Sequence, residues 1–309
     1  MHDQDLNELV SVIIPVYNGE KFVASSIESV LNQSYRLIEI IVINDGSTDG
    51  TQEILNHFAE KIIVIQQKNA GQADARNHGL TIAKGKYIAL LDSDDLFAPE
   101  KLKSQISFLK KGNLDMVCTN FETIDALNTK LKNISAPHFH ASNALTTFIT
   151  GNFICTSTLL FKKEWIQKVG NFDTKMKGTE DGDLWFRMLL DGARLDVIRE
   201  PLVKYRIHEE NYSGRFSHMN QFRALANRKQ YQLLKDKMLF SSVDDKLFLA
   251  SAYANQLTYE VAVEVLNDIP SKDIPFTFLV KKRMYSFMST ALGTKILSGL
   301  KKMKLIVKS

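Results

Sequence analysis

Apolar residues fall in short runs between polar stretches, and through the first third of the chain the runs alternate between two periods. Val10 to Val16 is a β-branched run closed by Pro15, as expected for a strand buried on both faces. Glu20 to Leu31 follows and places Phe22, Val23, Ile27, Val30 and Leu31 on one helical face. Ile38 to Ile43 predicts a second strand, Asp49 to Phe58 a second amphipathic helix and Ile62 to Gln67 a third strand. Ala73 to Ala83 then reads as a helix, Tyr87 to Leu91 as a strand and Pro99 to Lys110 as a helix with proline in its first turn. Asp115 to Phe121 closes the series as a fifth strand. This rhythm predicts an α/β fold with an open parallel sheet and right-handed crossovers.

The pattern changes after about residue 122. Asn128 to Ser142 is polar and reads as loop, Leu159 to Val169 and Leu184 to Leu190 as helices, and Val203 to Ile207 as a returning strand. From about Asn220 the signal is helical, with long stretches at Gln221 to Met238 and Lys246 to Leu266. Pro270 and Pro275 interrupt it before the end of the chain.

Composition narrows the classes. The chain has 309 residues, 44% hydrophobic and 24% charged, enough for a sizeable core. Its two cysteines, Cys118 and Cys155, have no metal-ligand spacing and make no disulfide framework, which suits buried thiols in a reducing compartment. Met1 to Leu9 is polar and lacks the basic and apolar regions of a signal peptide, and no apolar run has the length of a membrane span. A cytoplasmic protein is expected. The net charge of +4 is uneven: residues 281–309 carry eight Lys and Arg and no acid, leaving the rest at −4. In this basic tail Leu292, Ile296, Leu297 and Leu300 fall on one helical face. An anionic membrane surface would suit it, as would a packed helix with a solvated face or a partner-binding helix. No nucleic-acid partner is expected.

Chemistry gathers where the predicted strands end. Neither Gly-x-Gly-x-x-Gly nor a Walker A sequence follows the first strand. Polar clusters stand there instead: Pro15-Val16-Tyr17-Asn18-Gly19-Glu20, Asn44-Asp45-Gly46-Ser47-Thr48-Asp49, Asn69-Ala70-Gly71 with Arg76-Asn77, and Asp92-Ser93-Asp94-Asp95. Ligands of parallel sheets bind at such strand ends. Carboxylates concentrated there need a cation, and an Asp-x-Asp pair suits a hard divalent metal that also grips a diphosphate. Plainer readings stand beside this one. The Asp-rich run would also serve as a turn with a helix cap, Asp45-Gly46 as a tight turn, Glu20 as a first-turn charge and Arg76 as a surface ion pair.

These four pieces, in this order and spacing, resemble the family-2 glycosyltransferases of GT-A fold, over roughly residues 9–215. The resemblance implies a nucleotide-sugar-binding half at about 9–122, an acceptor half at about 123–215, and a separate helical region at 216–309. It implies that Asp45 contacts the nucleotide base and that Pro15, Val16 and Tyr17 flank it, with Asn18, Gly46, Ser47, Asn69 and Gly71 in the same nucleotide-sugar site. Glu20 and Arg76 would lie near ribose or diphosphate, and Asp92, Ser93 and Asp94 would supply the Asp-x-Asp contact to ribose and to manganese or magnesium. Gly178-Thr-Glu-Asp-Gly-Asp-Leu-Trp-Phe-Arg187 resembles the family's Glu-Asp segment and makes Asp181 the expected catalytic base. Many relatives have an aromatic residue where this chain has Gly182. Thr179, Glu180 and Asp181 would also serve simply as a helix cap. Tyr205-Arg-Ile-His208 resembles the segment after the base, with His208 as a third metal ligand, a diphosphate donor or a structural residue.

The implied activity is inverting, metal-dependent transfer of a hexosyl or N-acetylhexosaminyl group from a nucleotide-diphosphate sugar, UDP-sugar being the expected donor. The expected acceptor is a hydroxyl of a glycan or lipid-linked glycan in bacterial surface polysaccharide synthesis, which would put the enzyme on the inner face of the cell membrane. Two other classes compete. A sugar-nucleotide nucleotidyltransferase needs a Gly-rich loop with Arg and Lys where Val16-Tyr17-Asn18-Gly19-Glu20 stands. A non-catalytic nucleotide-binding partner subunit would not need the intact acidic segments.

Overall fold

The structure is a computed structural model that describes residues 8–209 and 216–290. It divides into two compact units, one of residues 1–145 and 153–214 and one of residues 146–152 and 215–309.

The first unit begins with β1 (Val10–Val16), α1 (Val23–Leu31), β2 (Ile38–Asn44), α2 (Thr51–Asn56), β3 (Ile63–Gln66), α3 (Gln72–Ile82) and β4 (Tyr87–Leu90). β5 (Leu96–Phe97), α4 (Lys101–Gly112), β6 (Met116–Ile124) and β7 (Lys130–Ile134) follow. After α5 (Ala144–Thr150), most of which belongs to the second unit, come β8 (Leu160–Lys162), α6 (Glu164–Val169), α7 (Glu180–Leu190) and β9 (Leu195–Arg206). The strands form one nine-stranded sheet in the order β3-β2-β1-β4-β8-β6-β9-β5, with β7 paired to β6. β1 pairs in parallel with both β2 and β4, so the strand order reverses around it. Every residue of β1 is buried, as a parallel strand covered on both faces requires. Helix α3 lies very close to this strand: a Cβ on Gly79 would meet Ile13 Cγ2 at 2.5 Å. Glycine there lets α3 bring Arg76, one turn earlier, against the ends of the central strands.

Several elements differ from the sequence pattern. Leu159 to Val169 is not one helix, because Leu160–Lys162 is a strand inserted antiparallel between β4 and β6. A three-residue apolar run has no periodicity to distinguish strand from helix, and burial in the sheet decides it. The polar 128–142 segment contains β7, an edge strand whose lysines hide its alternation. β9 is longer than Val203 to Ile207, and α1 and α2 are shorter than their amphipathic runs. α4 starts at Lys101, so Pro99 lies in the preceding turn.

The second unit contains α8 (Phe216–Asp236), α9 (Val243–Asn255), α10 (Tyr259–Asn267) and α11 (Phe276–Met288). Leu249, Tyr253, Val261, Val265 and Leu266 form part of its buried interior. The apolar run Lys246 to Leu266 is two helices, broken at Leu257, whose φ is +65°. Thr258 Oγ1 then donates to the Tyr253 carbonyl and accepts from Asn227. No glycine or proline marks this break, so tertiary hydrogen bonding fixes it. Among the described residues no helix is long and apolar enough to cross a membrane.

One of the buried cations of the first unit is a lysine. Lys101 is fully buried, with Nζ 2.7 Å from Gln105 Oε1 and 3.9 Å from the centre of the Phe97 ring. The Gln105 amide in turn donates to the carbonyls of Val117 and Thr158, bracing the turn at 156–158. Burial pushes the Lys101 ammonium down to about 7. Its folded pKa is therefore below its unfolded value, so between pH 7 and about 10 the unfolded chain binds the extra proton and this residue's penalty fades as pH rises. We expect Lys101→Met to change the melting temperature most favourably, relative to wild type, near pH 6. The advantage should shrink steadily towards pH 10 in parallel thermal melts.

Candidate active site

The reversal of strand order at β1 collects three chain turns at one sheet edge. After β2, Asp45 is buried and its carboxylate is fully engaged: Oδ1 accepts from Gln67 Nε2 at 2.8 Å and the Ala70 amide at 2.9 Å, and Oδ2 accepts from the Gly71 amide at 2.9 Å. His78 Nδ1 lies 2.9 Å from Gln67 Oε1, which orients the Gln67 amide towards Asp45. Gly46 has φ +76°, and a Cβ there would meet the Asn69 backbone nitrogen at 2.7 Å, so only glycine lets these two turns approach. After β1, Tyr17 is 52% exposed. Asn18 clamps the same region, donating its amide to Ser47 Oγ and accepting from the Thr48 amide. Glu20 accepts from the Gly50 amide at 2.7 Å, at the start of α2.

The three carboxylates after β4 go to different places. Asp95 is fully buried and accepts from Ser157 Oγ at 2.6 Å and from the Arg206 amide at 2.9 Å. Burial, then the charges of Asp94 and Asp92, raise its pKa well above the ordinary carboxylate range. Asp94 Oδ2 lies 2.9 Å from His208 Nε2. Its pKa is raised by burial and by the neighbouring Asp92 charge. Asp92 instead accepts from Arg76 Nη2 at 2.7 Å, while its backbone amide donates to Ser157 Oγ. The Ser93 carbonyl accepts from Ser26 Oγ on α1, fixing the turn. Arg206, from the end of β9, donates Nε to the Asp94 carbonyl and lies over the Phe22 ring, which also contacts the His208 ring at 5.0 Å.

Arg76 spans the gap between this turn and the start of α7. It is 2% exposed and bonds Asp92 with Nη2 and Glu180 Oε1 with Nη1, the latter at 3.0 Å. Burial alone would weaken its charge, but Asp92 and Glu180 outweigh that and hold it firmly protonated. The surface-ion-pair reading of Arg76 is thereby replaced by a buried bridge. Three acids open α7. Glu180 is buried against Arg76, and burial raises its pKa. Asp183 is buried against Arg187 at 2.9 Å. Asp181 alone is half-buried, its Oδ2 accepting from Thr156 Oγ1 at 2.7 Å. Thr179 makes no side-chain cap, while Asp181 Oδ1 accepts from the Gly182 amide at 2.6 Å in the first turn of α7.

Magnesium and manganese take oxygen donors, manganese also imidazole, and such ions commonly use one or two side chains plus substrate phosphates. Asp94 Oδ2 and His208 Nε2 fit that role. At 2.9 Å they are hydrogen-bonded to each other, and both donor types could turn to such an ion. Arg76 meets Asp92 through Oδ1. Among the described residues no group of three or more His, Cys, Asp or Glu forms a protein-only cage.

The structure thus gathers Asp92, Ser93, Asp94 and His208, and joins Asp92 to the α7 start through Arg76. Asp45, Gly46, Ser47, Asn69 and Gly71 form a second cluster with Asn18. Sequence reasoning did not single out Thr156, Ser157 and Arg206, which support Asp181, Asp92, Asp95 and Asp94. Arg206 lies two residues before His208, in the segment that resembles the family's; nothing in the local sequence around Thr156 signals its partner. Arg76→Met should cost about 3–5 kcal/mol in urea unfolding, because it strands buried Glu180 and half-buried Asp92. Adding Glu180→Gln to that variant should recover part of the loss, making the pair non-additive.

Comparison with known proteins fits this geometry. The sequence profile described as "Glycosyl transferase family 2" matches residues 11–170. An uncharacterised glycosyltransferase of Rickettsia typhi is 30% identical over 308 residues, covering 96% of each chain. Among solved structures, S. aureus TarS 1-349 in complex with UDP-GlcNAc superposes with a TM-score of 0.66 at 18% identity, covering 86% of this chain and 82% of that one. Mannosyltransferase PcManGT from Pyrobaculum calidifontis, in complex with GDP-Man and Mn2+, gives a TM-score of 0.55 at 18% identity, over 91% and 85%. These two establish the GT-A fold, and with the family match and the full-length relative the conclusion is direct: the chain belongs to glycosyltransferase family 2.

Proposed function

We propose that residues 1–215 catalyse inverting transfer of a hexosyl or N-acetylhexosaminyl group from a UDP-sugar to a hydroxyl of a glycan or lipid-linked glycan in bacterial surface polysaccharide synthesis. The observation that carries this reading is the separation of roles among the acids. Asp181 is half-buried and oriented by Thr156, while Glu180 and Asp183 are buried in ion pairs. In the proposed reaction the Asp181 carboxylate takes the proton of the acceptor hydroxyl as its oxygen bonds to the anomeric carbon. The bond from that carbon to the diphosphate oxygen breaks with inversion, and the nucleoside diphosphate departs.

The donor assignment rests on the other edge of the site. Exposed Tyr17 and the turns organised by Asp45 suit a nucleobase. TarS has been solved with UDP-GlcNAc and PcManGT with GDP-Man and Mn2+, which supports a nucleotide-sugar donor and a metal-assisted reaction here. Asp94 and His208 would hold that metal, with Asp92 oriented by Arg76 beside ribose. A divalent ion bound there supplies charge neutralisation for the leaving diphosphate. Arg76 and Glu180 act by holding the two acidic segments in register. The basic run 281–309 supports action beside an anionic membrane surface, and its residues 291–309 lie outside the described residues.

Two measurements test this reading. Asp181→Asn keeps the shape but accepts no proton, so turnover should fall by about 10²–10⁴ while UDP affinity persists. Parallel loss of both would move Asp181 to the donor site. Asp94→Ala should abolish manganese-dependent UDP binding by calorimetry while the thermal melt stays cooperative. Full transfer by this variant in excess chelator would refute metal dependence.

A further inference from the structure

Helix α11 presents its apolar residues outward. Phe276 is 78% exposed, Val280 54%, Met284 51% and Phe287 46%, with Leu279 and Arg283 also exposed. These positions are spaced i, i+3, i+4, i+7, i+8 and i+11, so they form one stripe along three turns of a single helix face. The opposite face packs inward through Tyr285, whose ring contacts that of Tyr259 on α10. Isolated exposed apolar residues need no explanation, but a stripe of five on a 13-residue helix, interrupted by Arg283, does.

Charge identifies what covers it. Lys281 and Lys282 flank the stripe, Arg283 lies within it, and α11 has no acidic residue. Asp273 is the last acid in the chain, so every charged side chain after it is basic. Lys281 Nζ lies 4.4 Å from the Phe278 ring centre. A second copy of this helix would set like charges against each other. A surface that is apolar inside and anionic outside satisfies both halves of the pattern at once. We infer that the exposed stripe of α11 docks on an anionic lipid bilayer, with Phe276, Val280, Met284 and Phe287 below the headgroups and Lys281, Lys282 and Arg283 among the phosphates. This deepens the membrane-side part of the proposed function and is independent of donor chemistry.

Co-sedimentation of the full chain with vesicles tests it. One set contains phosphatidylglycerol with phosphatidylcholine, the other phosphatidylcholine alone. The wild type should bind the first set at least tenfold more tightly. Binding should weaken as salt rises from about 0.1 M to about 1 M, where the screening length falls from about 10 Å to about 3 Å. The double variant Val280→Ser with Phe287→Ser keeps every basic residue and should lose at least tenfold in vesicle binding, and Val280→Leu with Phe287→Leu should retain it. Circular dichroism of each variant establishes that the helices remain. Equal binding of wild type and the serine variant, or of the two vesicle types, would overturn the inference. So would a serine variant that dissociates a self-assembled species but still binds vesicles. UDP calorimetry without lipid should be the same for wild type and both variants; absence of UDP binding in all three would count against the donor reading and leave the vesicle result to stand alone.

Discussion

A single guanidinium sets the relation between the two acidic segments of this site. Arg76 holds Asp92 at the end of a central strand and Glu180 at the start of a helix more than a hundred residues away. Three charged groups are thereby brought into a largely buried place, where desolvation is costly and only mutual neutralisation makes it tolerable. Arg76 Nε and Glu180 Oε2 have no hydrogen-bond partner among the described residues, so two contacts define the bridge. The bridge depends in turn on Gly79, because any larger residue would push α3 off β1 and carry Arg76 with it.

Around that bridge, neighbouring carboxylates of one type acquire different jobs from their surroundings. In the run after β4, Asp92 is neutralised by arginine, Asp94 faces an imidazole, and Asp95 is sunk among neutral donors. In the run opening α7, the flanking acids are paired and buried and the middle one stays accessible. The turn at 156–158 serves both runs, Thr156 orienting Asp181 and Ser157 holding Asp95 and the Asp92 amide. The buried Lys101–Gln105 pair fixes that turn from below. The acids after β4 and those opening α7 are thus tied to one short piece of chain.

The pattern of apolar runs was enough to read β1 to β4 and the helices between them, because a two-face-buried parallel strand and an amphipathic helix have distinct periods. It misassigned β8, which is too short to have a period, and hid β7, an exposed edge rich in lysine. The break at Leu257 was invisible because hydrogen bonds from Thr258, not a breaking residue, make it.

For the site, the sequence by itself determined which residue types stand at the strand ends and in what order, since these turns are local and their glycines and acids are contiguous. That order sufficed to identify the family and the acids worth considering. The tertiary structure alone decided how those acids are used: that Arg76 is buried between Asp92 and Glu180, that Asp92 leaves Asp94 to His208, and that Thr156 supports Asp181. Each of these pairings joins residues far apart in the chain, and whether a carboxylate is paired, buried or accessible depends on neighbours that only folding supplies.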